Sequence, residues 1–499
     1  MKSVRIGLAA ALAILTLVGL PISGGFAGAV DEATCCAPTV QLQTALVVSP
    51  EGPYTSIQDA LTAAQDGDHI TVQGGTYLGP LIIEKSVVLE GVGEPVIDGG
   101  GVGTVVTLNA PGAALRGFTI RGSGVEPDRD HAGITITASD VIVENNHLSD
   151  VLFGIFVAQA DRAVVRGNQI SSKLKYEQGR RGDSIRLWYS QDVIVEGNHV
   201  NEARDVVMWY SNNVIVRGNH IENGRYGIHL MYCDRALIEN NILDSNSVGI
   251  YTMYSRGVIL LNNIIRRQRG PSGYALGFKD ADAVLVQDNL LLDNHSGVFL
   301  DGTPFTPSSF ARFEGNIIAF NDVGATLLSA VHGVEFTANT FWENVEQVAL
   351  QGGGKAGENR WQANYWSDYT GFDVDGDGQG ESPYQADRYF ESLMDREPLL
   401  RALLFSPAAQ TIEFAATSFP IFKPQPKLSD STPSTVPGGV PGLLSAAQEK
   451  QNAWGMAFIG AGMLSLCALL GGWIYWREVI SWREAQKVER EPTNGLELA

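Results

Sequence analysis

The sequence is poor in cysteine and in positive charge. Four cysteines in 499 residues are too few for a disulfide scaffold, and adjacent Cys35 and Cys36 lie far from Cys233 and Cys467, so no metal-ligand pair spacing is present. Lys and Arg number 35 against 55 Asp and Glu, which gives a formal net charge of −20. Because binding to phosphate backbones needs a basic surplus, this composition argues against a nucleic-acid partner.

The N-terminus has the layout of an export signal. Lys2 and Arg5 precede an apolar run over residues 7–20, and a small-residue site follows at 27–29. This pattern predicts a secretory signal peptide over residues 1–29, with an uncleaved anchor as the alternative.

A second apolar segment lies near the C-terminus. Residues 454–476 contain no charged side chain and are long enough to span a bilayer. Basic residues follow from Arg477 onward, which places the tail at 477–499 in the cytoplasm and residues 30–453 outside. We therefore predict a single-pass cell-membrane protein whose main domain is exported, periplasmic or otherwise extracytoplasmic.

A sequence repeat occupies the middle of the chain. Its period is close to the 21 positions that separate Asn198 from Asn219. The aligned asparagines are Asn146, Asn168, Asn198, Asn219, Asn241, Asn263, Asn289, Asn316 and Asn339. Each unit contains short alternating β stretches and turn glycines, without a helical pattern. This predicts an all-β fold, a right-handed parallel β-helix solenoid of the pectate-lyase-like class, in which the asparagines stack in an internal ladder.

The solenoid is predicted over residues 46–366, after a mobile N-terminal stretch at 30–45. Thr55 is expected to N-cap a short amphipathic helix that closes the N-terminal end. Residues 367–418 are expected to cap the C-terminal end. Residues 419–453 are rich in Pro, Ser and Gly, so an extended linker to the membrane helix is expected there.

Strand alternation in the middle coils predicts which side chains point outward. One outward column contains Arg186, Val207, His229 and Tyr251, and the next contains Trp188, Trp209, Met231 and Met253. The outer face of a solenoid is normally polar. Stacked Trp, Met, His and Tyr side chains therefore indicate a binding surface.

Three outward residues form a candidate metal site. His229, Met231 and Met253 would be neighbours on successive coils, and thioether and imidazole ligands favour Cu⁺ over hard cations. We therefore consider these three a transient Cu⁺ site, with Met208 and Cys233 as weaker candidates. The alternative is an apolar partner-docking stripe without metal.

The insertion before this face concentrates positive charge in an acidic protein. Arg180, Arg181 and Arg186, together with the outward Trp188 and Trp209, are candidates for docking an acidic partner. A solvated loop is the alternative.

Acidic residues follow the repeat region at the spacing of a calcium loop. Asp373, Asp375, Asp377 and Glu381 match the first, third, fifth and ninth positions of an EF-hand loop. The twelfth position is Tyr384 instead of a bidentate Glu, so structural Ca²⁺ and a simple acidic turn both remain open.

Many β-helices are polysaccharide enzymes, which need converging carboxylates. Asp128, Asp130 and His131 share one short loop, but the outward columns of the following coils lack matching Asp and Glu. We therefore predict a protein that is not an enzyme. A carbohydrate-binding or polysaccharide-cleaving β-helix is the alternative.

Irregular motifs, in a fixed order, distinguish this chain from a generic β-helix. They are GRRGDSIRLWYS (179–190), RDVVMWYS (204–211), NGRYGIHLMYCD (223–234), NSVGIYTMYS (246–255), GPSGYALGFKD (270–280), NVEQVALQGGG (344–354), NYWSDYTGFDVDGDGQGESPY (364–384) and FPIFKPQPKLSD (419–430). Over about residues 46–430 the sequence resembles the NosD family, the periplasmic β-helical maturation proteins of nitrous-oxide reductase.

The resemblance implies a role in copper delivery. Members of this family work with an ABC-type ATPase and a membrane permease, and pass copper towards apo nitrous-oxide reductase. A membrane copper chaperone is a further implied partner. The predicted membrane helix at 454–476 departs from the usual soluble form, and would tether the β-helix near its permease.

Overall fold

The computed structural model describes residues 46–352, 359–419 and 425–439. The predicted signal peptide, the N-terminal stretch at 30–45, the membrane helix and the cytoplasmic tail lie outside these residues. Within the three described ranges, no helix is both long enough and apolar enough to cross a bilayer. The described chain is wound into a solenoid of short parallel β-strands, as the repeat predicts.

Each coil of the solenoid contributes strands to three long parallel sheets, which we number 1 to 3. Sheet 1 contains Leu46–Val48, His69–Gln73, Val88–Val92, Ala114–Arg116, Ile142–Glu144, Val164–Arg166, Ile194–Glu196, Ile215–Arg217, Leu237–Glu239, Ile259–Leu261, Val284–Gln287, Ala311–Glu314, Val334–Thr337 and Arg360–Gln362. Sheet 2 contains Thr76–Leu78, Val96–Asp98, Thr119–Arg121, His147–Val151, Gln169–Ser172, His199–Asn201, His220–Glu222, Ile242–Asp244, Ile264–Arg266, Leu290–Leu292, Ile317–Ala319, Thr340–Trp342 and Tyr365–Trp366. Sheet 3 contains Leu81–Ile83, Val106–Leu108, Ala132–Ile136, Phe153–Ala158, Ile185–Trp188, Asp205–Trp209, Tyr226–Met231, Val248–Met253, Tyr274–Lys279, Ser296–Asp301, Val323–Leu328 and Glu346–Gln351.

Few helices accompany the sheets in the described ranges. The α-helices are α1 (Ile57–Ala63), α2 (Tyr389–Arg396) and α3 (Pro407–Ser418), and short 3₁₀ helices cover Pro127–Arg129, Gln178–Arg180 and Pro398–Leu403. A separate antiparallel pair joins Tyr384–Gln385 to Ser429–Asp430.

The core consists of columns of side chains that repeat from coil to coil. In sheet 3, Leu187, Met208, Leu230, Thr252 and Phe278 are register partners on successive strands, and all are fully buried. Since alternate residues of a strand point to opposite sides, the residues between them lie on the outer face. The register therefore fixes which side chains the solenoid displays.

Buried asparagines form the predicted ladder along the inside of one corner. Asn263 is typical: its backbone N–H and its Nδ2 donate to Oδ1 of Asn289, both at 2.9 Å, and Nδ2 also donates to the carbonyl of Ile238 at 2.9 Å. Each amide therefore satisfies turn backbone that would otherwise be buried without a partner. The structure confirms the nine predicted positions and adds Asn364.

A second ladder was not predicted. It runs through Asn246, Gln268, Asn294, Asn321 and Asn344, where each backbone N–H donates to the side-chain oxygen of the next member at 2.9–3.0 Å. Gln268 interrupts the asparagine pattern in the sequence, which hides the repeat. Its longer side chain makes the same bonds.

Helix α1 packs beside the first coil, one residue away from the predicted start. Ser56, not Thr55, is the N-cap residue, and its Oγ accepts a hydrogen bond from the backbone N–H of Asp59 at 3.4 Å. Ile57, Ala60 and Leu61 are buried against the solenoid. Serine and threonine carry the same capping oxygen, so the sequence alone did not separate the two.

The predicted linker at 419–453 is wrong over the residues that the structure describes, 425–439, because this segment packs back onto the end of the solenoid. Lys427 enters a buried group of carboxylates: its Nζ lies 2.8 Å from Oε1 of Glu346, 3.1 Å from Oδ2 of Asp395 and 3.6 Å from Oε2 of Glu391. The composition of this segment indicated an extended chain. Lys427 and its neighbours instead anchor the segment to the end of the solenoid.

Asp430 completes the first asparagine ladder. Its Oδ2 accepts hydrogen bonds from the backbone N–H and Nδ2 of Asn364, at 2.9 and 3.0 Å, and from Nε1 of Trp366 at 3.2 Å. Its Oδ1 accepts from the backbone N–H of Ala363 at 3.2 Å. Asp430 is fully buried. A residue 66 positions after Asn364 therefore occupies the place of the next asparagine.

Candidate functional site

Sheet 3 brings the predicted outward columns together. Val207, His229 and Tyr251 are register partners on three successive strands, and Trp209, Met231 and Met253 are partners on the same strands. The inward residues between them belong to the core, so the outward side chains stand on a rigid base. The predicted register is the observed one.

The imidazole of His229 lies against a thioether. Its Nε2 is 3.4 Å from Sδ of Met253, and Met231 is the register partner of Met253 on the neighbouring strand. His229 is only 8% exposed. Within the described part of the chain, its Nδ1 is buried without a hydrogen-bond partner. The neutral ring therefore offers one nitrogen lone pair, with the sulfur of Met253 beside it.

Burial keeps His229 uncharged. The pKa of His229 is lowered to about 4, mainly by loss of solvation; the carboxylate of Asp205 opposes this shift and nearby Arg225 adds to it. An imidazole must be neutral to bind a metal, so this ring needs no deprotonation above about pH 5.

Aromatic side chains surround the imidazole. The ring centroids of Tyr226 and Tyr251 lie 4.9 and 6.2 Å from that of His229. Arg225 pairs with the buried Asp205 and lies over the ring of Tyr226 at 4.8 Å. Tyr251 was predicted in the outward column, but Tyr226, Arg225 and Asp205 were missed because they lie at the start of their strands, outside the aligned columns. Tyr226 before Gly-Ile and Tyr274 before Ala-Leu were the available signal.

Two tryptophans extend the face on the neighbouring coils. Trp188 and Trp209 meet edge to face with centroids 5.6 Å apart. The guanidinium of Arg186 lies 5.6 Å from the centre of Trp188 and 5.1 Å from that of Trp209. Arg186 also pairs with Asp130 at 2.9 Å. Its charge is therefore already balanced within the face.

The other two candidate arginines have different surroundings. Arg181 donates from Nε to the carbonyl of Tyr176 at 2.9 Å and from Nη1 to that of Glu202 at 2.8 Å, so it holds the insertion in place. Arg180 is exposed, with its guanidinium 5.6 Å from the ring centre of Tyr176. The structure does not gather the three arginines into one patch.

Both weaker metal candidates lie inside the solenoid. Met208 is fully buried in an inward column. Cys233 is also fully buried, and its Sγ lies 3.2 Å from the carbonyl oxygen of Met208. Burial raises the pKa of the Cys233 thiol to about 11. Ser190, Ser211 and Ser255 occupy the same corner of other coils and bond backbone there, so Cys233 replaces a serine rather than joining the outer face.

A row of stacked tyrosines borders the outer face. Tyr189, Tyr210, Tyr232 and Tyr254 directly follow Trp188, Trp209, Met231 and Met253 in the sequence. Their successive ring centroids are 4.7, 5.0 and 5.0 Å apart, with nearly parallel planes. Tyr189 and Tyr232 are 47% and 41% exposed. This row enlarges the aromatic surface beside His229.

The predicted calcium loop gathers its acids on the surface. Asp373, Asp375 and Asp377 each place one carboxylate oxygen within 4.8 Å of the others. Glu381 turns back so that its Oε1 accepts from the backbone N–H of Val374 at 2.6 Å. The residue at the twelfth position, Tyr384, is buried and donates to Asp368 at 3.3 Å. Three of the four predicted ligands therefore converge.

The candidate polysaccharide-enzyme loop does not present a free pair of acids. Asp130 is bound to Arg186, and Nδ1 of His131 accepts a hydrogen bond from the backbone N–H of Glu126 at 3.3 Å. Asp128 is exposed in the short 3₁₀ helix before them.

Comparison with known proteins places these features in a family. The family model described as "Periplasmic copper-binding protein (NosD)" matches residues 168–371. A protein of Pseudomonas aeruginosa named "Probable ABC transporter binding protein NosD" is 33% identical over 391 residues, which are 75% of this chain and 90% of that protein. The chain belongs to the NosD family. A NosD protein of Stutzerimonas stutzeri with the same name is 30% identical over 373 residues, 72% of this chain and 85% of that protein.

The NosD match includes the coils that carry His229, Met231 and Met253, and also those of the two tryptophans. Both NosD relatives are named as binding proteins. Among solved structures, the surface adhesin PfbA of Streptococcus pneumoniae aligns with a TM-score of 0.44 and 13% identity, covering 62% of this chain and 100% of that chain.

Proposed function

We propose that this NosD-family protein binds Cu⁺ on the outer face of sheet 3 and relays it during maturation of nitrous-oxide reductase. The observation that carries the proposal is the neutral, buried imidazole of His229, whose Nε2 lies 3.4 Å from Sδ of Met253. Copper is the cargo, not a resident cofactor. A site with few soft ligands suits an ion that must leave again.

The donor chemistry supports Cu⁺ in particular. Thioethers select soft ions and imidazole suits copper, whereas hard cations prefer oxygen. Met231, on the same strand as His229 and in register with Met253, would supply a third ligand. Tyr226 and Tyr251 shield the imidazole from solvent. Such an environment protects Cu⁺ from water while leaving the outer side of the face accessible to a partner.

Partner contacts follow from the same face. We propose that the aromatic surface of Trp188, Trp209 and the tyrosine row docks apo nitrous-oxide reductase or a membrane copper chaperone, with Arg180 adding charge complementarity. An ABC-type ATPase and permease would supply the energy, since the sequence contains no Walker-type phosphate loop. A membrane helix at 454–476 would keep the solenoid close to that permease.

Replacing His229 or Met253 by alanine is expected to weaken Cu⁺ binding by about 100-fold or more, above the usual effect of losing a residue that only orients a ligand. The measurement is competition with a chromophoric Cu⁺ chelator. The full chain should carry serine at Cys35, Cys36 and Cys467, because free thiolates would compete for Cu⁺. The affinity of the wild-type site is expected to stay constant between pH 8 and 5.5, because the His229 pKa is about 4.

The matched controls are Met208→Leu and Cys233→Ser, each of which removes a sulfur atom from the inside of the solenoid. Both are expected to keep the affinity of the parent. Unchanged Cu⁺ binding in a His229→Ala/Met253→Ala variant would reject the site. If that variant instead lost only its contact with the reductase, the face would be an apolar docking stripe.

We also propose that the loop at 373–381 binds structural Ca²⁺. A hundredfold excess over Kd would stabilise the folded loop by about 2.7 kcal/mol, so Ca²⁺ is expected to raise the melting temperature of the C-terminal region. The change should disappear in Asp373→Asn/Asp375→Asn and persist in Asp128→Asn, which alters an exposed acid elsewhere. Melting curves of the parent that coincide with and without Ca²⁺ would exclude the ion.

A further inference from the structure

Sheet 2 presents two histidines and a glutamate on adjacent coils, away from the sheet that carries His229. His199 and His220 are register partners, and Glu222 lies two residues after His220 on the same side of its strand. Their imidazole rings stack with centroids 5.0 Å apart and planes 16° from parallel. Neither histidine belongs to the proposed Cu⁺ face.

Both imidazoles face one carboxylate. Nε2 of His199 lies 3.2 Å from Oε1 of Glu222, and Nε2 of His220 lies 4.0 Å from Oε2. Within the described residues, Nε2 of His220 has no hydrogen-bond partner although it is buried. Glu222 alone therefore does not give a hydrogen-bond partner to every ring nitrogen of the two histidines.

The solenoid fixes the spacing of the two rings. Each histidine directly follows a rung of the buried asparagine ladder, Asn198 or Asn219, and the backbone N–H of His220 donates to the carbonyl of Asn198 at 2.9 Å. The side chains themselves are 47% and 43% exposed, so an ion from solvent can reach the pair.

We propose that His199, His220 and Glu222 form a second metal site, one that takes a divalent borderline ion such as Zn²⁺. Two imidazoles and one carboxylate are a frequent Zn²⁺ ligand set, with metal–ligand distances near 2.0–2.2 Å and a fourth position open to water. The ion would be bound in the planes of the rings by one nitrogen of each imidazole, after rotation of the rings out of their stacked arrangement. The carboxylate supplies negative charge that a Cu⁺ thioether site lacks.

The metal-ion preference of this site is opposite to that of the Cu⁺ site proposed on sheet 3. It contains no sulfur, so it favours divalent ions that bind nitrogen and oxygen over Cu⁺. The two sites lie on different sheets and share no residue. The second site therefore stands or falls independently of the proposed copper relay.

The test is a Zn²⁺ titration of the full chain at pH 7.5, followed by calorimetry. Cys35, Cys36 and Cys467 are replaced by serine, and excess Ca²⁺ is present to occupy the acidic loop. We expect the double variant His199→Ala/His220→Ala to lose one equivalent of bound Zn²⁺, and Glu222→Gln to bind that equivalent about tenfold more weakly. With Co²⁺ as the probe, absorption bands of the bound ion should disappear in the double variant.

The matched control is His147→Ala, which removes an exposed histidine from the same column two coils earlier. It is expected to bind Zn²⁺ like the parent. Retention of the urea unfolding curve and of the far-ultraviolet circular dichroism spectrum would show that the double variant is folded. Equal Zn²⁺ stoichiometry and affinity in the parent and the folded double variant would overturn the proposal.

Discussion

Replacing Asn263 by alanine is expected to destabilise the central coils by about 3 kcal/mol or more. The substitution removes the amide that accepts from the backbone N–H and Nδ2 of Asn241, at 3.0 and 2.9 Å, and that donates to the carbonyl of Ile238. These groups are buried, and each unsatisfied one costs about 1–3 kcal/mol. Alanine also leaves a cavity between two coils.

The measurement is hydrogen exchange of the backbone in residues 237–266, together with urea unfolding. Local exchange is the sharper readout, because a solenoid can lose a few coils before the rest unfolds. The control is Asn201→Ala, which removes a surface amide whose Oδ1 accepts from Nδ2 of Asn223 at 2.9 Å. That change is expected to cost about 0.5 kcal/mol or less. Similar losses in the two variants would contradict a special role for the ladder.

Replacing Lys427 by methionine is expected to destabilise the C-terminal end by about 3–5 kcal/mol, because it removes the buried cation that three carboxylates share. Burial opposes the charge on Lys427, but Glu346, Glu391 and Asp395 outweigh it and raise the pKa of the lysine. Burial also raises the pKa of Glu391 to about 7 and that of Asp395 above its usual value. Arg401 remains beside Glu346, and Nη1 of Arg388 remains 3.4 Å from Oε1 of Glu391, so Asp395 is the acid that loses its ion-pair partner.

The loss of stability caused by Lys427→Met should become smaller as the pH falls from 8 to 5. Without Lys427, the folded state holds carboxyls that bind protons at a higher pH than they do in the unfolded chain. The pKa of Glu391 is about 7 with Lys427 in place, and loss of that cation raises it further, so the stability of the variant rises as the pH decreases from 8 towards the ordinary value of 4.5. In the wild-type protein the lysine already neutralises part of this charge, so its dependence on pH is weaker.

Hydrogen exchange of residues 425–439 provides the measurement, with roughly 150- to 5000-fold faster exchange expected at pH 8 after correction for intrinsic rates. The matched control is Lys279→Met, which removes a half-exposed lysine 2.6 Å from Oδ2 of Asp301. A surface pair of this kind is worth about 0–1 kcal/mol. If both variants exchanged alike, the buried charges would not anchor the segment.

The repeated parts of this fold were predictable from sequence, whereas the parts that occur once were not. Nine aligned asparagines predicted the ladder and the register of sheet 3, because a period constrains every coil at once. Gln268 hid the second ladder by a change of residue type. Asp430 was missed because it lies outside the period and in a segment with the composition of a linker.

The candidate sites show the same division. Alternation placed His229, Met231 and Met253 on one face, but it gave no sign that His229 would be buried enough to lower its pKa. Its residue type made Cys233 a plausible soft ligand. In the structure it occupies an inward corner where other coils carry serine, so it has a structural role there. His199 and His220 lie in aligned positions of the repeat. They were not predicted as ligands, because the predicted metal site was based on thioether side chains.

Asp430 also sets where the solenoid stops. An asparagine both accepts from the coil before it and donates onward, so a ladder of asparagines has no natural limit. A carboxylate accepts from Asn364 and Trp366 but has no N–H to offer a following coil. One carboxylate in place of an amide thus ends this ladder of side-chain hydrogen bonds at the C-terminal end of the solenoid.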